Sequence, residues 1–190
     1  GAVLALAGGV FQALFSNPLA TPSTTGTTAG ATLGALAVVV LGVPASLATM
    51  PWIIAAAFVG GLTASLLVAL AAASGRARLD DVLLAGIAVT LVASSLATAL
   101  QFVADAHALF AATHWAMGHL PQVGYDGVVS LLPLASVSVF GLLLLTRPLQ
   151  VLVLGQELAQ ARGVSVRRVR VAALLLASLG VAGVVAWCGP

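Results

Sequence analysis

The segment ADAHALFAATHWAMGHL carries the chain's three histidines, His107, His114 and His119, together with Asp105. These side chains are metal ligands by type, and His107 and His114 stand two helical turns apart, on one face if the segment is helical. Stable sites normally add clustered carboxylates or cysteines at close spacing. Here there is one cysteine, Cys188, far along the chain, and Asp105 is the only acidic residue in the segment. The sequence therefore assigns no metal to this chain, and the histidine segment reads as a protein-contact or interfacial stretch. Other chemistry fails on inventory. All seven basic residues are arginines, so no GxxxxGK[ST] phosphate loop can form, HExxH and GxSxG are missing, and no paired-carboxylate pocket is expected. The expectation is a chain that is not an enzyme and binds no cofactor itself.

Two other constellations suit passage or force transmission rather than reaction. Thr90, Ser94, Thr98 and Gln101 follow one another at spacings of four, four and three, which puts them on one helix face. Polar residues within an apolar helix turn toward protein or water rather than lipid. This face is a candidate lining for a translocation path, and interhelical hydrogen bonding is its competing use. The second constellation is LVLGQELAQARGVSVRRVR, residues 152–170, which holds Arg162, Arg167, Arg168, Arg170 and the sole glutamate, Glu157. Leu154, Leu158 and Ala161 recur at i, i+4 and i+7, leaving Gln156, Glu157, Gln160 and Arg162 opposite: an amphipathic helix of about two turns. Gly163 suits the residue just past its end, where a left-handed backbone costs glycine little. Ser165 then suits the cap of a second short turn. Spacing alone also permits a solvated loop whose arginines only enforce topology.

These residues need a scaffold, and composition names its solvent. Only 6% of the 190 residues are charged and 61% are hydrophobic, with a mean hydropathy of +1.17. A soluble domain carries about a quarter charged residues. This chain instead suits lipid, where a crossing helix needs about 20 apolar residues. Six apolar spans are expected, at 1–15, 26–41, 52–73, 82–104, 128–146 and 169–187. SNPLATPST, GVPASLATMP and SGRARLDD separate the first four, and the mixed segment 105–127 reads as part short helix, part loop. Trp52, Trp115 and Tyr125 suit the headgroup layer. Gly26, Gly30 and Gly34 form a doubled GxxxG that would let helix backbones touch. Gly1 opens inside an apolar run and AWCGP closes the chain as a span ends, so a piece of a longer permease-like protein is expected.

Arginine sets the orientation. Segments 74–81 and 147–170 hold all seven, as Arg76, Arg78, Arg147, Arg162, Arg167, Arg168 and Arg170, whereas 44–51 and 105–127 hold none. The positive-inside rule puts the first pair in the cytoplasm. By parity the uncharged SNPLATPST is cytoplasmic too. No basic stripe with interleaved aromatics points to nucleic acid.

The order of these stretches resembles the integral-membrane permease family of ABC importers for iron–siderophore complexes, haem and vitamin B12. GAVLALAGGVFQALFSNPLATPSTTGTTAGATLGA is similar to that family's GAxLAxAGxxxQxxxxNPLAxPxxLGxxxGAxxGA. RLDDVLLAGIAV, HWAMGHL and LGQELAQARGVSVRRVR with the closing AxxGP-like end resemble further family stretches. Gln12, Asn17, Pro18, Leu19, Ala20, Gly26 and Gly30 fall on the first motif. Ser16 stands where the family has a basic residue, and His119 where it has serine. The resemblance implies an all-α polytopic bundle, about six spans of a roughly ten-helix permease in the bacterial inner membrane. It implies one transmembrane domain over 1–190 with a cytoplasmic coupling elbow at 147–170. On that elbow Leu154, Gly155, Glu157, Ala159, Gly163 and Val164 would dock into an ATPase. Implied partners are a second permease copy or paralogue, two cytoplasmic ATPase subunits that hold ATP and Mg, and an extracytoplasmic solute-binding protein. The implied cargo is a ferric siderophore, with haem or cobalamin as alternatives. An ion-coupled secondary transporter is the competing class, and it would require carboxylates in mid-span.

Overall fold

The computed structural model describes residues 1–40, 50–73, 79–118 and 125–190. Most of GVPASLATMP, the loop arginines Arg76 and Arg78, and His119 lie outside them. In chain order the elements are α1 (Ala2–Phe15), a 3-10 turn (Pro22–Thr25), α2 (Thr27–Val40), α3 (Met50–Ala73), α4 (Leu79–Val103) and α5 (Ala106–Ala116). Then follow α6 (Tyr125–Leu144), α7 (Thr146–Val153), α8 (Gln156–Ala161) and α9 (Val166–Cys188). The six expected spans correspond to α1, α2, α3, α4, α6 and α9. Four of these, α3, α4, α6 and α9, are long and apolar enough to cross a membrane, while α1 and α2 are shorter apolar helices. Helices dominate because lipid offers no partner for a bare N–H or C=O, and a helix pairs them internally.

The bundle is organised around α9, which packs against α1, α2, α3 and α6. Over half of its span, 56%, is buried inside the protein, against 33% or less for α3, α4 and α6. Val166, Val169, Arg170, Ala173, Leu174, Ala177 and Val181 recur at helical spacing on its inward face. That register explains one departure from the expected layout. Arg170, expected among the topology-setting arginines, lies inside α9 and is only 4% exposed.

Small residues set the distance between α2 and α3. A methyl group on Gly30 would meet the Gly60 carbonyl oxygen at 2.5 Å and Ala64 Cβ at 2.6 Å. One on Gly34 would strike the Ala56 carbonyl, and one on Gly60 would strike the Gly30 carbonyl. The two backbones therefore touch directly, as the glycine spacing predicts. Gly26 does not join them. It ends the 3-10 turn with φ +75 and faces Val89 and Thr90 of α4, because the helix that would align it with Gly30 starts only at Thr27.

A buried hydroxyl chain ties the turn to the same pair of helices. Thr25 Oγ1 lies 2.8 Å from the Pro22 carbonyl and 3.0 Å from Thr27 Oγ1, which lies 2.7 Å from Ser65 Oγ; Ser65 Oγ lies 2.9 Å from the Gly61 carbonyl. Three hydroxyl protons serve four contacts: with Thr25 donating to the Pro22 carbonyl and Ser65 to the Gly61 carbonyl, Thr27 has one proton for either of its two hydroxyl neighbours. Losing Thr27 Oγ1 would leave both outer hydroxyls with a carbonyl to bond.

Packing and hydrogen bonding at this junction can thus be weighed separately. Thr27→Val in the full-length protein should cost about 1 kcal/mol or less, the usual worth of an interhelical bond in lipid. Gly60→Val should cost more, on the order of 3 kcal/mol, because carbonyl backbone cannot move aside. Unfolding midpoints in mixed micelles give the comparison, and equal losses would refute backbone contact as the stronger of the two effects.

Candidate functional site

The expected elbow at 147–170 is three helical pieces divided by glycines. It opens with α7, a helix that the residue spacing does not announce; Leu149 and Leu152 are buried there, and α7 lies against α1. Arg147 remains exposed. Gly155 then adopts φ 125 and ψ 146, a backbone region where only glycine is at ease. The chain turns sharply there and enters α8. After one and a half turns it leaves α8 through a paired-bond end: Gly163 N–H donates to the Gln160 carbonyl (2.9 Å) and Val164 N–H to the Ala159 carbonyl (2.9 Å). Gly163 has φ 75, so it occupies the left-handed position foreseen from its spacing. Ser165 precedes α9 itself rather than a separate turn, and its side chain makes no capping bond.

The face that α8 buries differs from the expected one. Leu154 is 67% exposed and belongs to the end of α7, and Leu158 is 40% exposed. Ala161 is exposed as well, and the buried residue is Ala159, at 0%. The i, i+4, i+7 pattern fails here because the break at Gly155 separates Leu154 from the helix that would have aligned it with Leu158. The result is a knob. Ala159 and half-buried Val164 pack it onto the hydrophobic core, while Leu154, Gly155, Glu157, Leu158 and Gly163 face outward.

At the first connection Asn17 organises the NPLA motif. Its Oδ1 accepts the Leu19 N–H (2.9 Å), and its own N–H donates to the Gln12 carbonyl (3.1 Å). Ser16 sits at φ 48, a left-handed conformation that a side chain rarely adopts. Ala20 is buried, whereas Gln12, Pro18 and Leu19 are exposed. The uncharged turn lies on the first half of α4: a methyl on Gly86 would strike the Thr24 carbonyl and come within 3.3 Å of Thr25 Cα.

The polar stripe on α4 is split. Thr90 is half-buried against the 3-10 turn, its hydroxyl donating to its own helix at the Gly86 carbonyl (2.8 Å) and lying 3.5 Å from the Ser23 carbonyl. Ser94, Thr98 and Gln101 are exposed. Thr98 Oγ1 donates to the Ser94 carbonyl (2.9 Å), so its hydroxyl is spent within the helix and the face stays uncovered. The stripe flanks a second line, Val82, Gly86, Ala93 and Ala97, which is the face α4 buries.

The histidine segment forms α5, capped by Asp105, whose Oδ1 accepts the Ala108 N–H (2.7 Å). His107 and His114 are exposed on it, and among the described residues no three His, Cys, Asp or Glu side chains converge on a metal-sized site. Trp115 is half-buried, lining a cavity of about 130 Å³ with Gln101, Thr32 and Ile53. A methyl on Gly189 would meet the Trp115 carbonyl at 2.7 Å, so the end of α9 seats the end of α5.

The FecCD transport family model matches residues 1–190. The chain belongs to the FecCD transport family. It is 34% identical over its whole length to the cobalamin import system permease protein BtuC of Halobacterium salinarum, covering 50% of that protein. It is 32% identical to the hemin transport system permease protein HmuU of Yersinia pestis, covering 57% of it. It is likewise 32% identical to the ferric enterobactin transport system permease protein FepG of Escherichia coli, covering 56%. The chain thus spans about half the length of the curated relatives it matches. Among solved structures it is similar to a metal-chelate type ABC transporter in an inward-facing conformation, with TM-score 0.88, 27% identity, and coverage of 100% of this chain and 60% of that one. Family membership and the four helices apolar enough to cross a membrane make this chain an integral, multi-pass membrane protein.

The two elbow glycines differ in a testable way. Asparagine tolerates φ near 75 but not the region of Gly155. Gly163→Asn should leave hydrogen exchange of the α8 amides within about threefold of wild type, whereas Gly155→Asn should speed it by about tenfold or more. Mass-spectrometric exchange on the full-length protein reads both, and equal protection in the two variants would contradict the assigned backbone.

Proposed function

We propose that this chain belongs to the membrane-spanning subunit of an ATP-driven importer, carrying a metal chelate inward by alternating access. The observation that carries this reading is the knob formed by Gly155, α8 and Gly163: a short rigid helix with a buried base and an outward face of Leu154, Glu157 and Leu158. Such a piece suits a handle. A partner that moves it pushes on α7 and α9, and through them on the central helix of the bundle. The partner is a pair of cytoplasmic ATPases, since the chain offers no residues for nucleotide chemistry of its own. The uncovered stripe of Ser94, Thr98 and Gln101 lines the path, completed by a second permease copy or paralogue, and a solute-binding protein delivers the cargo from outside the inner membrane. Family membership and the likeness to a metal-chelate transporter support this assignment.

Ferric siderophore is the cargo we assign within the metal-chelate class. Haem and cobalamin are the alternatives, because the similar permeases carry those names as well as ferric enterobactin. Ion-coupled transport is disfavoured by the acids. Asp80 and Asp81 lie in the first turn of α4, Glu157 in that of α8, and Asp105 caps α5. Asp126 is the second residue of α6. A carboxylate that exchanges an ion across a membrane belongs near mid-span.

Reconstitution of the full-length permease with its ATPase and binding protein tests these roles one by one. Gly163→Val combined with Glu157→Arg should abolish ATPase co-purification and cut uptake by about tenfold or more, as expected when a helix corner is strained and a contact charge reversed. Ser94→Leu with Thr98→Leu should block uptake while the ATPase still binds. If import and attachment both survive the elbow changes, the coupling role is wrong. Competition among labelled ferric siderophore, haem and cobalamin then names the cargo.

A further inference from the structure

A hollow of about 650 Å³ opens where α9 begins and α3 ends, lined by Ala73, Ser165, Arg167, Arg168, Val171, Ala172 and Leu175. Its chemistry is divided along α9. The first turn supplies two guanidinium groups and a hydroxyl, and both arginines are exposed. One and two turns further on, Val171, Ala172 and Leu175 present half-buried apolar surface. Among the described residues no acidic side chain lines it. In a membrane crossed by α9, whose length and composition suit a span, the charged part would fall at headgroup depth and the apolar part at the depth of the first methylenes.

We propose that this hollow holds an anionic phospholipid, with its phosphate between Arg167 and Arg168 and an acyl chain along Val171, Ala172 and Leu175. The division of the lining selects this occupant. A free phosphate would use the guanidinium groups and gain nothing from the apolar floor. An acidic protein segment would leave that floor exposed. A phospholipid satisfies both parts at once, and two arginines without a carboxylate favour a net negative headgroup over a zwitterionic one. Arginine suits this better than lysine, because its planar fork engages two phosphate oxygens together. The bound lipid would fix the start of α9, immediately after the Gly163 corner, at a set depth in the membrane. The assignment rests on the membrane orientation alone and is independent of the cargo or the motor.

Native mass spectrometry of the full-length protein, delipidated and then titrated with cardiolipin, phosphatidylglycerol or phosphatidylethanolamine, tests it. The wild type should retain the two anionic lipids about tenfold more strongly than phosphatidylethanolamine. Arg167→Gln with Arg168→Gln should erase that preference. Ala172→Phe, which fills the floor and keeps both arginines, should weaken retention as well. Excess inorganic phosphate should not displace the lipid. The proposal is overturned if the wild type shows no anionic preference, as when other parts of the full-length chain fill the hollow. It is equally overturned if the double variant keeps the same adducts, or if phosphate displaces them. A double variant that loses ATPase binding while its lipid adducts are unchanged would assign these arginines to the ATPase instead.

Discussion

The contact between the α2 and α3 backbones governs how the rest of the molecule is assembled. In water two helices are driven together by burying apolar surface, but lipid tails are as apolar as leucine and that drive vanishes. What remains is dispersion, which falls off within a fraction of an ångström of optimal contact. Gly30, Gly34 and Gly60 remove the side chains that would hold the helices apart, and carbonyl oxygens take their place at the interface. The same device recurs around α9 and on α4. Gly61 lies against Ala182, Gly180 against Ser138 and Val3, and Gly86 of α4 against the turn after α1. Ser138 Oγ closes its own junction by donating to the Leu176 carbonyl (2.8 Å).

Such an interlock makes a stiff body, and the coupling role proposed for the elbow would depend on that stiffness. α8 is six residues long, too short to be stable as an isolated helix. It holds its shape because Gly155 and Gly163 fold the chain back and because Ala159 and Val164 seat it on the core. A displacement of the knob is therefore passed to α7 and α9 rather than lost in bending. The central position of α9, which continues from this corner through the middle of the bundle, gives that displacement a route to most of the other helices. The turn after α1 is held differently, by the Thr25–Thr27–Ser65 hydroxyl chain and by Asn17, and so keeps its form without any charge.

Much of this was legible in the order of residues. The six apolar runs became helices close to their expected bounds, since in lipid a run of about 20 apolar residues has few alternatives to a helix. Gly163 occupies its foreseen conformation because a left-handed helix end is a local matter settled by one residue's missing Cβ. Patterns that run across a break mislead. Leu154, Leu158 and Ala161 were expected on one buried face, yet Gly155 interrupts the helix between the first two, and Gly26 falls outside the helix of Gly30 for the same reason. α7 is hard to foresee because its short amphipathic pattern merges into a stretch that its arginine marks as loop.

Residue order was enough to settle the solvent of this protein, its helical class, the end of the bundle that carries positive charge, and its family. All of these follow from composition, local spacing and motif, which need no knowledge of neighbours. Packing in three dimensions was needed to settle which helix is central, that Arg170 is buried while Arg167 and Arg168 are not, and that Ser94 and Thr98 stay open beside covered Thr90. It also settled that a hollow with a charged mouth and an apolar floor lies between α3 and α9. Each of these depends on how far apart two distant stretches of chain come to rest, and that distance is set by close packing, which no single stretch contains.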